Sequence, residues 1–472
     1  MAGMRRTKIV ATVGPATGNP EGMRSLLEAG VDVVRLNAAH GDARTHTANA
    51  VLARETARAL GRNVGVLIDL PGPKLRTGPL AGDAVELECG HEFVLTGSPV
   101  VGDATRVSTT IPELAQWVRT GDEVFLADGA IVLAVTGVRD GDVHTQVVRA
   151  GTLRSRKGMH LPRAEAFVDV FGERDEAALE LALQIKSDFV GLSFVRKPED
   201  VDEVIARLPK RGHRPNLVPK IETASALDHL PGIVNAADAV MVARGDLGIQ
   251  VPARRVPLLQ KEIIRFCNMA GKPVITATQM LESMTRSPLP TRAEVNDVAN
   301  AVLDGTDALM LSEETAIGLY PADTVRTMAE VAESAESWPR HRVDPAGVHT
   351  DSDRVAWAVA HAAVQAAEDL NVAAIICPTR SGSTARRVAA YRPSMPIAGI
   401  SPSPSVLGGL ALTWGVHPLG VPDVTDGDEQ LRLAVRASLQ AGLARGGDLV
   451  AVVFGSAGPR AGSTDTVRIV RA

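Results

Sequence analysis

Aromatic side chains, cysteine and lysine are scarce in this chain of 472 residues, which has 3% aromatics, 3 cysteines and only 9 lysines against 41 arginines. Cys89, Cys267 and Cys377 lie far apart and form no CxxC pair. This spacing excludes a disulfide framework and a thiolate metal site, and it indicates a reducing compartment. No stretch approaches the length of about eighteen apolar residues that spans a membrane, and the amino-terminal residues lack the apolar core of a signal peptide. We therefore expect a cytoplasmic protein with no membrane partner.

An excess of one charge is also missing. The 50 Lys and Arg residues against 55 Asp and Glu residues give a net charge of −5, with no basic or acidic tail. Binding of nucleic acid through bulk charge is therefore not expected. The length and the 45% hydrophobic content allow a large core and predict two or three domains. In a chain that uses arginine by default, each lysine position calls for its own explanation.

Short β-branched runs alternate with longer amphipathic segments over residues 8–338. This alternation predicts eight strands, at 8–13, 31–37, 63–69, 188–194, 217–222, 238–243, 273–278 and 307–311. It also predicts helices after them, at 22–30, 42–61, 174–186, 198–211, 224–236, 256–270, 291–304 and 321–338. Eight strands that each precede a helix describe an α/β protein with a (β/α)8 barrel of parallel strands.

Residues 71–162 interrupt this alternation between the third strand and its helix, with strand-like runs and Gly-Asp turn signals. We expect an inserted β-barrel lid domain that closes over the barrel. The barrel domain then covers 1–70 and 163–340. A linker rich in Pro, Arg and His leads to a C-terminal α/β domain at 351–472, with strands predicted at 372–377, 397–400, 449–454 and 466–470 and a helix at 429–444.

Polar or small residues end most of the predicted barrel strands. Active sites of such barrels lie at the carboxyl ends of the strands, so these side chains are expected to meet at one mouth. They are Arg35, Asn37, Asp69, Lys220, Glu222, Arg244, Gly245, Asp246, Thr278, Gln279, Ser312, Glu313 and Glu314.

Glu222 and Asp246 end neighbouring strands and could hold one divalent ion between them. Magnesium fits because it takes one or two carboxylates and leaves its other positions to water and substrate oxygens. Arg35 and Lys220 would then face the metal across an anionic substrate, and the N–H groups of Gly245 and Asp246 could bind a carboxylate. Two cations, one metal and backbone donors suit phosphoryl transfer, whose catalysis is positioning and charge neutralisation.

Each of these residues also has an ordinary structural interpretation. A lysine and a glutamate two positions apart on a strand, as Lys220 and Glu222 are, often form a plain salt bridge. Asp246 could be a turn or N-cap aspartate, and Thr278 a plain β-branched strand residue. Arg35 could be a rim cation.

Asp69, at the end of strand three, could simply partner Arg35, and His40 could lie at a helix start or in a loop. The coincidence of so many polar groups at strand ends favours a site over these separate explanations.

Long ordered segments of the chain resemble the pyruvate kinase family. The matching segments are TKIVATVGP at 7–15, RLN at 35–37, KIE at 220–222, MVARGDLG at 241–248, ATQMLESM at 277–284, PTRAE at 290–294 and DVANAVLDG at 297–305. Matches of this length are far more specific than a lone glycine motif. The resemblance implies a barrel, an inserted β lid and a C-terminal α/β domain, as the alternation of elements does.

The family transfers the phosphoryl group of phosphoenolpyruvate to ADP and forms pyruvate and ATP, a step of glycolysis. The resemblance implies that Lys220 stabilises the transferring phosphoryl group, that Arg35 contacts the phosphate, and that Glu222 and Asp246 hold Mg²⁺, with Mn²⁺ as the alternative ion. Gly245 and Asp246 would bind the substrate carboxylate side. Thr278 would bind there as well and lie near the face where the enolate is protonated.

The resemblance also implies a nucleotide site and an assembly. Arg76 and Lys157 correspond to nucleotide-phosphate contacts, and Asn37 and His40 border the same site. Family members are usually homotetramers, so the same assembly is expected here, although no interface can be identified from these residues.

The potassium site of the family is altered in this chain. Asn37 and Asp69 match two of its ligands, but Ala39 replaces a serine and Leu70 a threonine, while Lys74 replaces a nearby glutamate. Two oxygen ligands are lost and a fixed ammonium is gained. The family's potassium-independent branch has the same exchange, so activity without K⁺ is expected, with Lys74 supplying the positive charge. The alternative is that Lys74 is a solvated loop residue.

Three other departures have two interpretations: neutral drift, or a reshaped nucleotide side of the mouth, which would affect substrate choice more than reaction chemistry. Glu313 stands where the family has a glycine, at the end of strand eight. Pro71 and His160 replace more usual residues at the two connections of the lid.

The segment TRSGST at 379–384 follows an apolar strand and opens a helix in the C-terminal domain. Its N–H groups and hydroxyls, from Thr379, Arg380, Ser381, Gly382, Ser383 and Thr384, could form a phosphate-binding nest. In the family this loop binds a phosphorylated effector. The alternative is an ordinary strand-to-helix turn capped by Ser381 or Ser383.

Two other functions compete with the kinase. A magnesium-dependent barrel lyase or aldolase would use the same carboxylates on a keto-acid enolate but would need no nucleotide contacts such as Arg76 and Lys157. A metabolite-sensing paralogue without turnover is motivated by Ala39, Leu70 and Glu313. Retention of the strand-end residues argues against the second alternative.

Overall fold

The computed structural model describes residues 5–73, 75–127, 129–162, 169–338, 345, 354–455 and 464–472. Eight parallel strands close into a barrel in the order 1-8-7-6-5-4-3-2, so each strand pairs with its sequence neighbours and the first strand pairs with the eighth. All eight predicted strands are confirmed. Barrel strands one to eight are Lys8–Thr12, Val33–Asn37, Gly65–Asp69, Phe189–Leu192, Asn216–Ile221, Val240–Ala243, Val274–Ala277 and Ala308–Leu311.

Helices surround the barrel where the apolar periodicity places them. They are Pro20–Ala29, Ala43–Ala59, Glu173–Gln184, Pro198–Arg207, Ala224–Asp228, Leu230–Ala236, Val256–Met269, Arg292–Leu303 and Pro321–Glu336. Shorter helical turns at the strand ends are Arg244–Gln250, Ala253–Arg255, Glu282–Thr285 and Glu313–Ala316.

The first of these helices shows how the local sequence sets its ends. Asn19 accepts a hydrogen bond from the Gly22 N–H as N-cap, and Gly30 ends the helix with a φ of 116° that L residues rarely adopt. Met23, Leu26 and Leu27 recur on one face and are fully buried against the barrel.

One helix prediction was wrong, because the predicted single helix is interrupted in the structure. The helix predicted at 224–236 is two helices, Ala224–Asp228 and Leu230–Ala236, which meet at His229. Pro231 lies in the first turn of the second helix. It has no N–H to continue the first helix and its ring clashes with the carbonyl four residues earlier, so the break follows from the sequence.

The segment inserted after barrel strand three forms two sheets, built mainly from antiparallel strand pairs, around its own core. The six-stranded sheet has the order Met159–His160, Glu123–Leu126, Ile131–Arg139, Asp142–Arg149, Glu92–Thr96 and Arg106–Ser108. A second sheet pairs Ala84–Leu87 with Gly151–Arg154, and Leu114–Trp117 is a short helix. The core includes Phe93, Leu95, Leu126 and Leu133, which are fully buried.

The C-terminal unit is a five-stranded sheet with helices, as an α/β domain requires. Its strands in sheet order are Val416–Gly420, Ile397–Ser401, Ala374–Pro378, Leu449–Phe454 and Thr466–Arg471, the last of them antiparallel. Its helices are Arg354–Asp369, Ser383–Ala390, Pro404–Leu410 and Gly427–Gln440.

The amino-terminal end of the barrel, called the floor here, is closed by the C-terminal unit. Ala411 and Leu412 belong to the same buried cluster as Leu67, Phe189 and Met241, whose side chains point into the barrel. Lys8 Nζ donates to the Val416 carbonyl at 2.7 Å. The polar strand-end residues lie at the carboxyl-terminal end of the barrel, called the mouth here.

A buried ion pair also joins the floor to the C-terminal unit. Arg392 binds Asp307 with two N···O distances of 3.0 Å, and both side chains are more than nine-tenths buried.

The predicted domain boundaries at 163, 340 and 351 lie outside the described residues. Within the described part of the chain, no helix has the length and apolar character needed to cross a bilayer.

Candidate active site

The mouth of the barrel brings together the polar side chains predicted from the strand ends. Arg35 and Asp69 lie on strands two and three, where Asn37 is in register with Asp69. Lys220 lies near the end of strand five, and Glu222 directly follows that strand. The inward face of parallel strands that end at the same level places these four groups within contact of one another.

Arg35 and Asp69 form an ion pair in which two guanidinium nitrogens share one carboxylate oxygen. Arg35 Nε and Nη2 lie 2.8 and 2.6 Å from Asp69 Oδ2, and Arg35 Nη1 donates to Thr12 Oγ1 at 3.0 Å. The side chains are 11% and 1% exposed. The interpretation of Arg35 as a cation paired with Asp69 is therefore geometrically correct, but the pair is part of a larger buried network.

Lys220 extends this network across the mouth. Its Nζ lies 3.3 Å from Asp69 Oδ1 and 3.0 Å from Glu222 Oε1. Glu222 Oε2 accepts the Phe194 N–H at 2.7 Å, which fixes the carboxylate from the turn after strand four. The salt bridge between Lys220 and Glu222 exists, but it is buried and shared, unlike a plain surface pair.

Burial and the neighbouring charges shift the pKa values of this network. Burial alone lowers the pKa of Lys220, but Asp69 and Glu222 outweigh it and hold the pKa above the usual value. Burial raises the pKa of Asp69, yet Lys220 and Arg35 outweigh burial and lower it. Both groups are therefore charged at neutral pH.

Glu222 behaves differently. Burial and, more weakly, the negative charge of Asp246 raise its pKa to about 7, against the opposing effect of Lys220. A carboxylate that is destabilised in this way is a group that a bound cation would relieve.

Residues that the sequence did not single out complete this network. Thr12 accepts from Arg35 and donates to the Leu311 carbonyl, so it links strand one to strand eight. Gly191 lies opposite Asp69, where an added Cβ would come within 2.6 Å of Oδ1. The sequence offered one signal for this contact, because a glycine inside a strand, as Gly191 is, marks a position where another group comes close to the backbone.

Thr278 lies immediately after strand seven with a φ of 69°, a left-handed conformation that is unfavourable for a β-branched residue. Its Oγ1 accepts the Gly245 N–H at 2.9 Å and donates to the Ala277 carbonyl at 2.7 Å. The interpretation of Thr278 as a plain strand residue was therefore wrong, since its backbone has left the extended region.

Asp246 lies in the first turn of the helix Arg244–Gln250, with Ala243 in the cap position and no side-chain cap. The alternative that Asp246 is the N-cap residue is therefore wrong. Its half-buried carboxylate faces the same space as Glu222 closely enough to raise the pKa of that group.

Glu222 and Asp246 fit a magnesium site. Among the described residues there is no group of three or more His, Cys, Asp or Glu side chains that could hold a metal. Two carboxylates that repel each other, without a third ligand, suit an ion that completes its shell with water and substrate oxygens. The donor set does not suit zinc, which takes nitrogen and sulfur ligands in a closed tetrahedron.

The residues expected near the nucleotide fall into two groups. Arg76 forms a β-bridge with Gly158. The Thr77 N–H donates to the Lys157 carbonyl and the Lys157 N–H donates to Thr77 Oγ1, so Arg76 and Lys157 lie on neighbouring segments of the lid connection. Arg76 is half-buried and Lys157 is exposed. Asn37 and the exposed His40 form a turn after strand two, in which the His40 N–H donates to the Asn37 carbonyl.

The residues at the potassium position are packed or already engaged. Asn37 Oδ1 accepts the Ala39 N–H at 3.1 Å, and both oxygens of Asp69 face cations. Leu70 is buried, and its carbonyl accepts the Ser193 hydroxyl at 2.6 Å. Lys74 lies outside the described residues.

The three other departures lie around the mouth and the lid connection. Glu313 is exposed at the start of the helix Glu313–Ala316, and Pro71 is buried. Burial lowers the pKa of His160 to about 4, and its Nδ1 lies 3.5 Å from Gln250 Nε2. His160 therefore connects the lid to the helix that carries Gly245 and Asp246.

The loop 379–384 follows a buried strand of the C-terminal sheet, as predicted. Thr379 Oγ1 accepts the Gly382 N–H at 2.9 Å, and Gly382 has a φ of 81°. Gly382 occupies the cap position of the helix Ser383–Ala390, so neither Ser381 nor Ser383 is its N-cap residue. Arg380 pairs with Asp423 at the surface, and Thr384 contacts Thr464.

Comparison with known proteins covers nearly the whole chain. Residues 4–325 match the family described as pyruvate kinase, barrel domain, and residues 357–470 match pyruvate kinase, alpha/beta domain. A pyruvate kinase of Geobacillus stearothermophilus is 41% identical over 98% of this chain and 80% of its own length. Those of Thermotoga maritima and Corynebacterium glutamicum are 39% and 42% identical, over 99% and 98% of this chain and 100% and 97% of their own lengths.

Proposed function

The chain belongs to the pyruvate kinase family and is a phosphotransferase, and we propose that it transfers the phosphoryl group of phosphoenolpyruvate to ADP as a magnesium-dependent enzyme of glycolysis. The observation that carries this proposal is the buried network of Arg35, Asp69, Lys220 and Glu222 at the mouth. A buried pair of cations with fixed partners is preorganised for a substrate that carries several negative charges.

Lys220 is proposed to stabilise the phosphoryl group during transfer. Its raised pKa keeps the ammonium charged, and two carboxylates flank Nζ at 3.3 and 3.0 Å. Arg35 is held by Asp69 and Thr12 and would contact the same phosphate. Because these groups are already oriented, little reorganisation is needed when charge spreads over the phosphoryl oxygens.

Glu222 and Asp246 are proposed to hold the divalent ion, which would neutralise charge on the transferring group. Gly245 and Asp246 would bind the carboxylate side of the substrate with Thr278. The Gly245 N–H is engaged by Thr278 Oγ1, so substrate binding there exchanges one hydrogen bond for another.

Thr278 is proposed to act at the face where the enolate receives its proton. Arg76 and Lys157 would bind nucleotide phosphates from the lid side, and Asn37 and His40 would border the nucleotide. The placement of Arg76 and Lys157 on the two segments that connect the lid to the barrel supports their role, because closure of the lid would carry these two side chains toward the mouth.

The alternatives of a lyase and of a sensor without turnover receive no specific support from the site. A lyase would have no use for the pair of nucleotide contacts, and the family is shown over nearly the whole chain. Two buried cations, Arg35 and Lys220, and two buried carboxylates, Asp69 and Glu222, are held together at the mouth, so the geometry favours an active kinase.

A direct assay tests the proposal. Pyruvate formation from phosphoenolpyruvate, ADP and Mg²⁺ is measured for the wild type, Lys220→Met and the exposed control Lys210→Met. Loss of one charge contact to a phosphoryl transition state should lower kcat by about 10² to 10³ in the first variant, whereas the control keeps wild-type turnover. A Lys220→Met variant with near-native kcat would remove Lys220 from its role.

The same assay tests the predicted independence from potassium. In buffers free of Na⁺ and K⁺, with ionic strength held by tetramethylammonium, added KCl should leave kcat unchanged. Lys74→Ala should lower kcat, and K⁺ should then restore part of it, because a monovalent cation can replace the missing ammonium. A manyfold activation of the wild type by K⁺ would show that the prediction is wrong.

We also propose that the loop 379–384 binds a phosphorylated effector and that the enzyme is a homotetramer. Gly382 has a backbone conformation that suits an anion nest, and the hydroxyls of Ser381 and Ser383 lie 3.0 Å apart beside it. A panel of sugar phosphates and nucleotides should shift the KM for phosphoenolpyruvate by up to about fivefold. Gly382→Val should abolish the shift, and an unchanged response in that variant would place the effector elsewhere.

A further inference from the structure

Arg244 directly follows barrel strand six as the first residue of the helix Arg244–Gln250, and its side chain crosses to the end of strand seven. Its guanidinium donates to the Thr278 carbonyl at 2.6 Å and to the Ala277 carbonyl at 3.2 Å, with a longer contact of 3.4 Å to the Gln279 carbonyl. The side chain is 11% exposed. One cation therefore binds three successive carbonyl groups of the turn that carries Thr278.

This turn is in an unfavourable backbone conformation. Thr278 and Gln279 have φ values of 69° and 54°, both in the left-handed region. Such residues cost free energy and persist only where surrounding contacts impose them. The three carbonyl contacts of Arg244 are contacts of this kind, because they fix the orientation of the peptide groups on both sides of Thr278.

Arg244 is itself held in place. Its Nη1 lies 2.7 Å from both oxygens of Asp297 and 3.2 Å from Gln260 Oε1, so the helices behind the strands anchor the guanidinium. The next residue, Gly245, donates its N–H to Thr278 Oγ1. Two adjacent residues thus hold Thr278. The Arg244 side chain binds the backbone of Thr278, and the Gly245 N–H binds the Thr278 hydroxyl.

We propose that Arg244 is a positioning residue for the proton transfer at Thr278. The inference rests on the proposed function, in which Thr278 stands at the protonated face of the enolate. In that step the Thr278 hydroxyl turns to the enolate carbon from the Ala277 carbonyl, to which it donates in this structure. A C–H bond forms at the enolate carbon while the O–H bond of the Thr278 hydroxyl breaks, and the hydroxyl recovers a proton from solvent. Arg244 touches neither substrate nor reacting atoms; it sets the direction of the Thr278 hydroxyl by holding its backbone.

Lysine cannot take over this role. A guanidinium presents several donors in one plane and can bind two or three carbonyls and a carboxylate together, whereas an ammonium on a flexible stem is a point charge. Arg244→Lys therefore keeps the charge beside Asp297 and removes the fork that holds the turn.

A double-mutant cycle tests the inference. For Arg244→Lys, Thr278→Val and the double variant, kcat, both KM values and the exchange of pyruvate methyl hydrogens in D₂O are measured. The exchange reports proton transfer without net phosphoryl transfer. Thr278→Val should slow exchange by about 10²-fold and Arg244→Lys by about 10-fold or more, with the KM for ADP unchanged. The exchange rate of the double variant should lie within about threefold of the rate of Thr278→Val, because both changes remove the same function.

Arg392→Lys is the matched control. Arg392 is equally buried, binds Asp307 and donates to the Gly305 carbonyl, but it lies at the floor of the barrel. Its replacement should lower the melting temperature as Arg244→Lys does while kcat and exchange stay at wild-type values. If Arg244→Lys fails to fold, Asp297→Asn, which loosens the anchor of Arg244, should show the same selective loss of exchange to a smaller degree.

Three results would overturn the inference. One is wild-type exchange in Arg244→Lys, and another is a double variant whose loss equals the product of the single losses. A third is a Thr278→Val variant that exchanges normally, which would leave the proposed function intact but remove the step that Arg244 serves. Failure of the proposed function itself would be seen separately, as a wild type that forms no pyruvate from phosphoenolpyruvate.

Discussion

Glu222 combines two properties that its neighbours in the mouth do not share. Burial raises its pKa to about 7, and it is proposed as a metal ligand, which must be ionised to bind. Because its pKa in the folded chain lies above the ordinary 4.5, the metal-free protein has the full stabilising contribution of the protonated group below about pH 4.5. It loses this contribution as the pH rises through about 7.

Metal binding should show the opposite dependence on pH. Below about pH 7 a proton competes with the ion for Glu222, so affinity for Mg²⁺ or Mn²⁺ should fall by up to about tenfold per pH unit and level off above it. Calorimetric titration of the free enzyme with Mn²⁺ across this range measures the effect. Glu222→Gln should bind weakly with no such slope, and a flat profile in the wild type would contradict the assignment.

The sequence predicted the members of the mouth better than their contacts. Strand ends sufficed to name Arg35, Asp69, Lys220 and Glu222, because the carboxyl ends of parallel barrel strands must meet. Spacing along a chain cannot show that Asp69 serves both cations at once. That arrangement depends on the register between strands two, three and five, which only the closed barrel fixes.

The contacts of Arg244 and the conformation of Thr278 were not predictable in the same way. A threonine at the end of a β-branched run is typical of a strand, and nothing local indicates a positive φ. The contacts that impose it come from a residue 34 positions earlier in the chain. Long-range hydrogen bonds override local preference here.

At the scale of elements, two errors have a local physical cause. The strand Val416–Gly420 was missed because His417 and Pro418 interrupt its apolar pattern. It lies at the edge of the sheet and pairs only with Ile397–Ser401 among the described strands, and edge strands tolerate proline. The break between the two helices at His229 could have been predicted from Pro231, but the apolar periodicity alone does not reveal it.

The helix Pro404–Leu410 depends on glycine where it meets the barrel. A Cβ on Gly408 would collide with the carboxylate of Asp188, whose pKa burial raises to about 6. Asp188 also accepts the Val66 N–H at 2.8 Å, so it cannot move without breaking a strand contact.

Gly408→Ala should therefore destabilise the protein by about 1 to 3 kcal/mol through overpacking, despite the better helix propensity of alanine. Gly427→Ala is the control, since Gly427 also lies in a helix and its added Cβ meets no atom within 4 Å. Denaturant unfolding followed by circular dichroism compares the two variants. Equal stabilities would show that the helix can shift without cost.

At the scale of the whole molecule, the mouth and the floor of the barrel are closed by different parts of the chain. The mouth holds the polar site, while Ala411 and Leu412 of the C-terminal unit fill the floor. The buried pair of Arg392 and Asp307 adds a second connection at the floor. The barrel and the C-terminal unit therefore share one apolar cluster and should unfold together.

Leu412→Ala tests this coupling. Loss of a fully buried leucine should cost about 2 to 5 kcal/mol, and because the cluster is shared, calorimetry should show one transition at a lower temperature. Leu370→Ala, at a leucine that is 47% exposed, should change the melting temperature little. Two separated transitions in the wild type would show that the units unfold independently.

The closed floor also sets an order of events during synthesis. Lys8, in the first strand, binds a carbonyl group that lies 408 residues further along the chain. At about 5 to 20 residues per second, a ribosome needs roughly 20 to 80 s to supply that partner. All eight barrel strands have been made at Leu311, about 100 residues before Leu412, so the nascent barrel keeps an uncovered apolar end for roughly 5 to 20 s at the same rate, until the C-terminal unit completes its interior.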